Sequence, residues 1–239
     1  MSAARHSFGE ALQARNDRAG WFSALRQEAF ARFEAAGFPT TKDEEWKYTS
    51  LGPIAEVAFA VPDMGRFADV GVPKVERVAP ASLGARLVFV DGWFAPHLSS
   101  VETLPVGATV RALSTAPQGL VGRHLSQVAG FERPFCALNA ALFEDGAVLH
   151  LAKGTVVERP VHFVYLSTAF ERPTAAHPRN LVIAEENSQA TVVEVYEGEG
   201  AYLTNAVTEV AVGEGAHVRH VKLQNESARG FHLGALYVR

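Results

Sequence analysis

The sequence predicts a mainly β protein with N-terminal helices and a right-handed parallel β-helix core that is incomplete at the C-terminus. Two observations carry that expectation. The last hundred residues hold three segments of similar outline, each an acidic Gly/Asn turn followed by alanine and an alternating Val/Leu strand: 143–151, 184–195 and 212–221. No helical period separates them, and short β units divided by Gly/Asn/Asp turns suit stacked coils. A β-sandwich is the alternative, because its strands also alternate and also end in turns.

The N-terminal part reads as helical. Phe22, Leu25, Ala29 and Phe33 recur at spacings of three and four, which places them on one helix face, and Gly37 with Pro39 stops the helix. Thr41 and Glu44 have the spacing of a capping box opening the acidic run Asp43–Glu45, a helix-capping use of those carboxylates. From Pro53 to Pro80 scattered Pro, Gly and Asp predict an irregular linker. Leu87–Val90, Asp91-Gly92 and Trp93–Ala95 give a hairpin with a two-residue turn. A short helix is expected over Leu120–Ala129, with Leu120, His124, Leu125 and Val128 inward. Pro160–Tyr165 adds a strand, and Leu149 is expected to point into the core. The resulting divisions are a helical region with linker (1–85), a mixed α/β lead-in (86–130) and a partial β-helix core (131–239). The apolar run Phe231–Arg239 carries no cap, and an exposed strand edge there predicts a truncated chain.

Composition narrows the function. Hydrophobic residues form 48% of the 239, enough for a sizeable core, and the net charge of −4 with scattered basic residues gives no reason to expect nucleic acid or an anionic membrane. The N-terminus lacks the apolar stretch of a signal peptide, and nothing approaches the ~20 apolar residues of a membrane span, so a cytoplasmic location is expected. Cys136 is the one cysteine, which excludes an internal disulfide and falls short of the about four thiolates an iron–sulfur cluster takes. It is expected to be buried as a small hydrophobe.

Candidate chemistry is sparse. His217 and His220 sit in a cupin-like strand, but residues three apart on a strand point to opposite faces, so no metal pair is expected. His150, His162, His177 and His232 are single histidines without ligand spacing. Glu185, Glu186 and Glu214 lie in turns, and Glu194 and Glu209 are isolated along their strands, which gives little support to a secreted-type β-helix carbohydrate-active enzyme. There is no phosphate loop and no nucleophile elbow. No catalytic, cofactor-binding or metal residue is assigned.

Several blocks nonetheless resemble one family. Pro39–Leu51 (PTTKDEEWKYTSL), Leu138–Val148 (LNAALFEDGAV), Leu151–Pro160 (LAKGTVVERP), His177–Asn180, Glu185–Ala190, Tyr202–Glu209 and Lys222–Ser227 are similar to the SufB/SufD family. The resemblance, on its SufD side, implies a non-catalytic scaffold subunit of the SUF complex that assembles iron–sulfur clusters. It implies pairing with SufB through the β-helix core, and with the SufC ATPase through a C-terminal region beyond Arg239. It also implies self-pairing as a homodimer when isolated, and a cluster and a reduced flavin at the level of the complex, none held by this chain alone.

Overall fold

A computed structural model describes residues 2–16, 22–62 and 70–239. Helix α1 (Ala3–Asn16) and helix α2 (Ser23–Ala36) come first, and both bury one face. Ala29 and Phe33 of α2 are fully buried, as their spacing predicts, and Gly37 ends the helix at φ 70°. Phe8 of α1 stacks on Phe59 at 5.9 Å and meets Phe33 edge-on at 6.3 Å.

The Thr41–Glu44 capping box does not form. Residues 44–46 make a single 3-10 turn, and the Asp43 carboxylate accepts from the Thr40 backbone N–H (2.7 Å) and hydroxyl (3.0 Å), while Thr40 Oγ1 accepts from the Lys42 N–H. The acid that ties back to a threonine three residues earlier is therefore Asp43, and the Asp43 N–H goes to the Thr40 carbonyl, so the bonding is not a reciprocal side-chain box. The Pro53–Pro80 linker is also partly ordered. It holds α3 (Gly52–Ala55) and α4 (Val72–Val78), each with proline in the first turn, where its missing N–H costs nothing. Residues 63–69 of that stretch lie outside the described ones.

Strands β1 (Arg86–Val90) and β2 (Trp93–Phe94) form the expected hairpin, with Asp91 at φ 50° and Gly92 at φ 87°. Strand β3 (Ala108–Ala112) follows, then α5 (Gln118–His124), which is shorter than expected. The chain leaves the helix because the Glu209 carboxylate takes the backbone N–H groups of Ser126, Val128 and Ala129 (2.9–3.1 Å), donors a longer helix would have spent internally. Over 120–129, Val121, Leu125 and Ala129 are buried; Leu120, His124 and Val128 are half-buried. Helix α6 (Pro134–Leu142) is buried from Phe135 to Leu142.

The remaining strands are β4 (Ala147–Leu151), β5 (Val161–Ala176), β6 (Arg179–Ala184), β7 (Gln189–Val212), β8 (His217–Asn225) and β9 (Phe231–Val238). The nine strands form one sheet in the order β2-β1-β5-β7-β6-β4-β3, with β8 and β9 also paired to β7. The pairs β1–β2 and β3–β4 are antiparallel and the other six are parallel. Strand β7 is long because it serves two stacks. Its first half lies between β5 and β8, its second half between β6 and β9, and Gly200 (φ 88°) stands near the change.

Register explains why the repeat looks uneven in sequence. Ala190 lies beside Val218 and Leu203 lies beside Phe231, so β7 is offset by 28 residues from both β8 and β9. The strand of the 143–151 segment joins the other stack, where Val148 lies beside Leu181. Between the stacks sits the main core, with Leu87, Phe163, Val192, Leu149, Val182 and Val210 among its members. Leu149 is fully buried there, as expected. A second core joins α1, α2 and α6 to Ala175 and Leu203, so the N-terminal helices cover a side of the sheet.

Candidate functional site

Within the core, inward positions change character along the stack. Phe163 of β5 lies beside Glu194 of β7, and Glu194 beside Lys222 of β8. Glu194 is 1% exposed. Its carboxylate accepts from the Thr208 hydroxyl, from Asn180 Nδ2 (3.3 Å) and from the Tyr196 hydroxyl (2.8 Å). Asn180 also accepts from the Tyr165 hydroxyl, and His220 Nε2 stands 3.1 Å from Glu194 Oε1. Burial alone would raise the Glu194 carboxyl, but the bonds from His220, Thr208 and Tyr196 outweigh it and hold it below its ordinary value. Burial, with the Glu194 charge, pushes Tyr165 and Tyr196 well above the usual phenol range, so both stay protonated donors.

Beyond this network the interior opens into a cavity of about 230 Å³ lined by Glu194, Thr208, His220, Lys222, Gly234 and Leu236. At its mouth Lys222 Nζ lies 3.1 Å from His232 Nε2 and 5.3 Å from the Tyr196 ring centre. His232 Nδ1 is 2.7 Å from Glu226 Oε2. A Cβ on Gly234 would sit 2.3 Å from Lys222 Nζ, so a side chain there would push the lysine tip aside.

A second cavity, about 320 Å³, lies where the 44–46 turn and the start of α6 meet β9, lined by Trp46, Phe135, Arg133, Cys136 and Ala235. Arg133 and Glu45 pair at 2.7 Å there. Cys136 is 2% exposed, 3.0 Å from the Tyr237 hydroxyl, and its thiol is pushed up by burial. A protonated thiol in that setting packs and does not attack.

The other residues singled out in the sequence separate as follows. His217 is exposed while His220 faces Glu194, so the two diverge as the strand spacing predicts. His150 pairs with Glu185 at 2.8 Å on the surface, and Lys153 with Glu186 at 2.7 Å. Glu214 caps nothing with its side chain in the described contacts, but its carbonyl accepts the Asn187 N–H. His162 and His177 are buried, and burial lowers both, His177 furthest. Glu194 and Glu209, isolated along the chain, are not isolated in space. Glu209, fully buried, meets Arg179 Nη2 at 2.7 Å, and that arginine also donates to Ser126 and Asn139. Lys222, His232, Glu226 and Tyr196 were not foreseen as neighbours, because they come from β8, β9, the turn between them and β7, and only the register joins them.

Among the described residues there is no group of three or more His, Cys, Asp or Glu placed to hold a metal ion, and no helix long and apolar enough to cross a membrane.

The chain matches the SufBD protein N-terminal region over residues 10–163, and the SUF system FeS cluster assembly SufBD core domain over residues 165–239. It is 29% identical over 222 residues to an iron–sulfur cluster assembly SufBD family protein of Synechocystis sp., covering 87% of this chain and 48% of that protein. It is 27% identical over 214 residues to the iron–sulfur cluster assembly protein SufD of Escherichia coli, covering 88% and 48%. It is also 27% identical over 199 residues to Protein ABCI7, chloroplastic, of Arabidopsis thaliana, covering 73% and 42%. The chain thus spans about half the length of these relatives or somewhat less. With the two matched regions running almost end to end through it, this chain belongs to the SufBD family of the SUF iron–sulfur cluster assembly system.

Proposed function

We propose that this chain acts as a SufD-like scaffold in a cytoplasmic SUF complex, pairing with SufB and working with the SufC ATPase, and that it catalyses no reaction itself. The observation that carries this reading is the state of its buried carboxylates. Glu194 and Glu209 are each saturated by donors within the fold, and the one thiol is buried and protonated. Such groups order a framework; they offer no free acid, base or nucleophile. The parallel pairing of β4 to β9, with a 28-residue offset between β6 and β7, β7 and β8, and β7 and β9, supports a right-handed parallel β-helix for residues 131–239, with 1–85 and 86–130 as the helical and lead-in parts. The iron–sulfur cluster is then cargo of the complex, with ligands drawn from a partner, since Cys136 is the only cysteine here.

The test is co-purification of the tagged chain with SufB and SufC of the same organism. Capture of SufB is expected. Failure of the chain to retain either protein would overturn the scaffold reading.

A further inference from the structure

An aromatic column runs through the main core. Phe94 meets Phe89 at 5.7 Å, Phe89 stacks on Tyr165 at 5.1 Å and 15°, and Tyr165 stacks on Tyr196 at 5.0 Å and 19°. Phenylalanine would fill the two tyrosine places with no hydroxyl to satisfy. Instead each hydroxyl has a partner, and the partners differ. Tyr165 donates to the Asn180 amide oxygen, which also accepts the Ala147 N–H and is no base. Tyr196 donates at 2.8 Å to Glu194 Oε2, a carboxylate that the fold keeps ionised at 1% exposure. We propose that Tyr196 and Glu194 form a one-electron redox site: Tyr196 gives an electron to an oxygen-derived radical that reaches the scaffold, and Glu194 takes the phenol proton.

The balance closes within one hydrogen bond. The Tyr196 O–H bond breaks, its proton passes to Glu194 Oε2, and one electron leaves for the oxidant, which is reduced to its anion and takes a proton from water. A phenol beside a carboxylate becomes a neutral phenoxyl radical beside a carboxylic acid, and the acid donates back along the same line. The proton has to move, because a phenol radical cation in the core would be a buried positive charge. An electron crosses a few side chains by tunnelling, whereas a proton needs an acceptor within hydrogen-bond reach. Glu194 offers no free base to a substrate, but it is a base toward the proton already bonded to it. The Thr208 hydroxyl and the Asn180 amide hold its other oxygen, Oε1, which leaves Oε2 to Tyr196. Its charge also favours an electron-poor ring at Tyr196 over one at Tyr165, so a hole formed on Tyr165 passes inward. Phe89 and Phe94 carry no hydroxyl, are harder to oxidise and end the column on the β1 side. Tyr165, Asn180, Glu194, Tyr196 and Thr208 all belong to β5, β6 or β7, strands with a paired neighbour on each side, so the site is internal to the sheet. It stores one oxidising equivalent and turns over no substrate, which adds to a scaffold role without replacing it.

The experiment is electron paramagnetic resonance on the 239-residue chain carrying Tyr48→Phe, which removes a phenol that is 92% exposed. The oxidant is flash-generated ruthenium(III) tris-bipyridine, and samples are freeze-quenched. A neutral tyrosyl radical is expected, coupled to one exchangeable hydrogen-bonding proton that disappears from the spectrum in D2O. Adding Tyr196→Phe should abolish that radical, and adding Tyr165→Phe should leave it. Adding Glu194→Gln should also abolish it, since a carboxamide cannot take the proton. Absence of any tyrosyl radical, a signal undiminished by Tyr196→Phe or by Glu194→Gln, or a signal lost with Tyr165→Phe and kept with Tyr196→Phe would each overturn the proposal. If Glu194→Gln fails to fold, the D2O comparison decides in its place: a radical with no exchangeable proton coupling has no acid at its oxygen, and the pairing with Glu194 falls.

Discussion

At the scale of single residues, the buried carboxylates decide most of what this chain can do. Glu194 is costly to bury as an ion, and the fold meets that cost with hydroxyl and amide donors and with His220. The sign of the consequence follows from its lowered pKa. A group whose folded value lies below its unfolded value adds stability above the unfolded value and gives it back as pH falls through the folded one. The stability difference between wild type and Glu194→Gln should therefore be largest at neutral pH, and should shrink as pH falls below the carboxyl's ordinary value of 4.5. Urea titrations at a series of pH values read this directly. A difference that grew on acidification would show that the carboxylate is not held as an ion. Nothing in the local sequence around Glu194 announced this network. Its donors stand at positions 180, 196 and 208, and a strand residue meets its neighbours only after the register is set.

At the scale of elements, what was legible was whatever local chemistry decides. The α2 face, the Asp91-Gly92 turn and the inward Leu149 all follow from spacing or from backbone preference, and the fold keeps them. What was illegible was decided from a distance. The 120–129 helix stops early because Glu209, some eighty positions further on, collects its N–H groups. The similar outlines of 184–195 and 212–221 align their turns by composition, whereas pairing follows the pleat and sets Ala190 beside Val218, and α1 carries no strong spacing pattern. The element scale also carries a sharp test. Leu149 sits in β4 with its side chain fully buried between Val110 and Val182. Leu149→Asp places an unpaired charge there and should cost several kcal/mol, of the order of 3–5. Circular dichroism and solubility of the variant check it; a folded, monomeric product with unchanged melting would mean that the position faces out.

At the scale of the whole molecule, the N-terminal helices and the strands are one body. Phe8, Phe33 and Phe59 share a core with Leu138 of α6 and Leu203 of β7, and Trp46 packs on Phe135 at 5.4 Å. Arg15 reaches Glu144 across that junction, and Arg26 donates to the Ala141 carbonyl at 2.9 Å. A shared core predicts shared unfolding. Single-tryptophan variants keeping Trp46 or Trp93 should report coincident denaturation midpoints, each matching the loss of far-UV signal. An earlier loss at Trp46 would make the helices an independent unit. The family match spreads over the same body, which is why the resemblance was visible in blocks from Pro39 to Ser227 even where no single block was specific.

The inward column Phe163, Glu194, Lys222 has a consequence for how the protein conducts electrostatic influence. Beside Phe163 the interior is oily and fields carry far; beside Lys222 it is wetted and they fade within a few ångströms. The stack is thus a graded dielectric, insulating at the β5 side and shielding at the β8 side. A charge brought to the β8–β9 face therefore couples weakly to the Glu194 network, and the network equally weakly to it, whereas the β5 side leaves such coupling undamped.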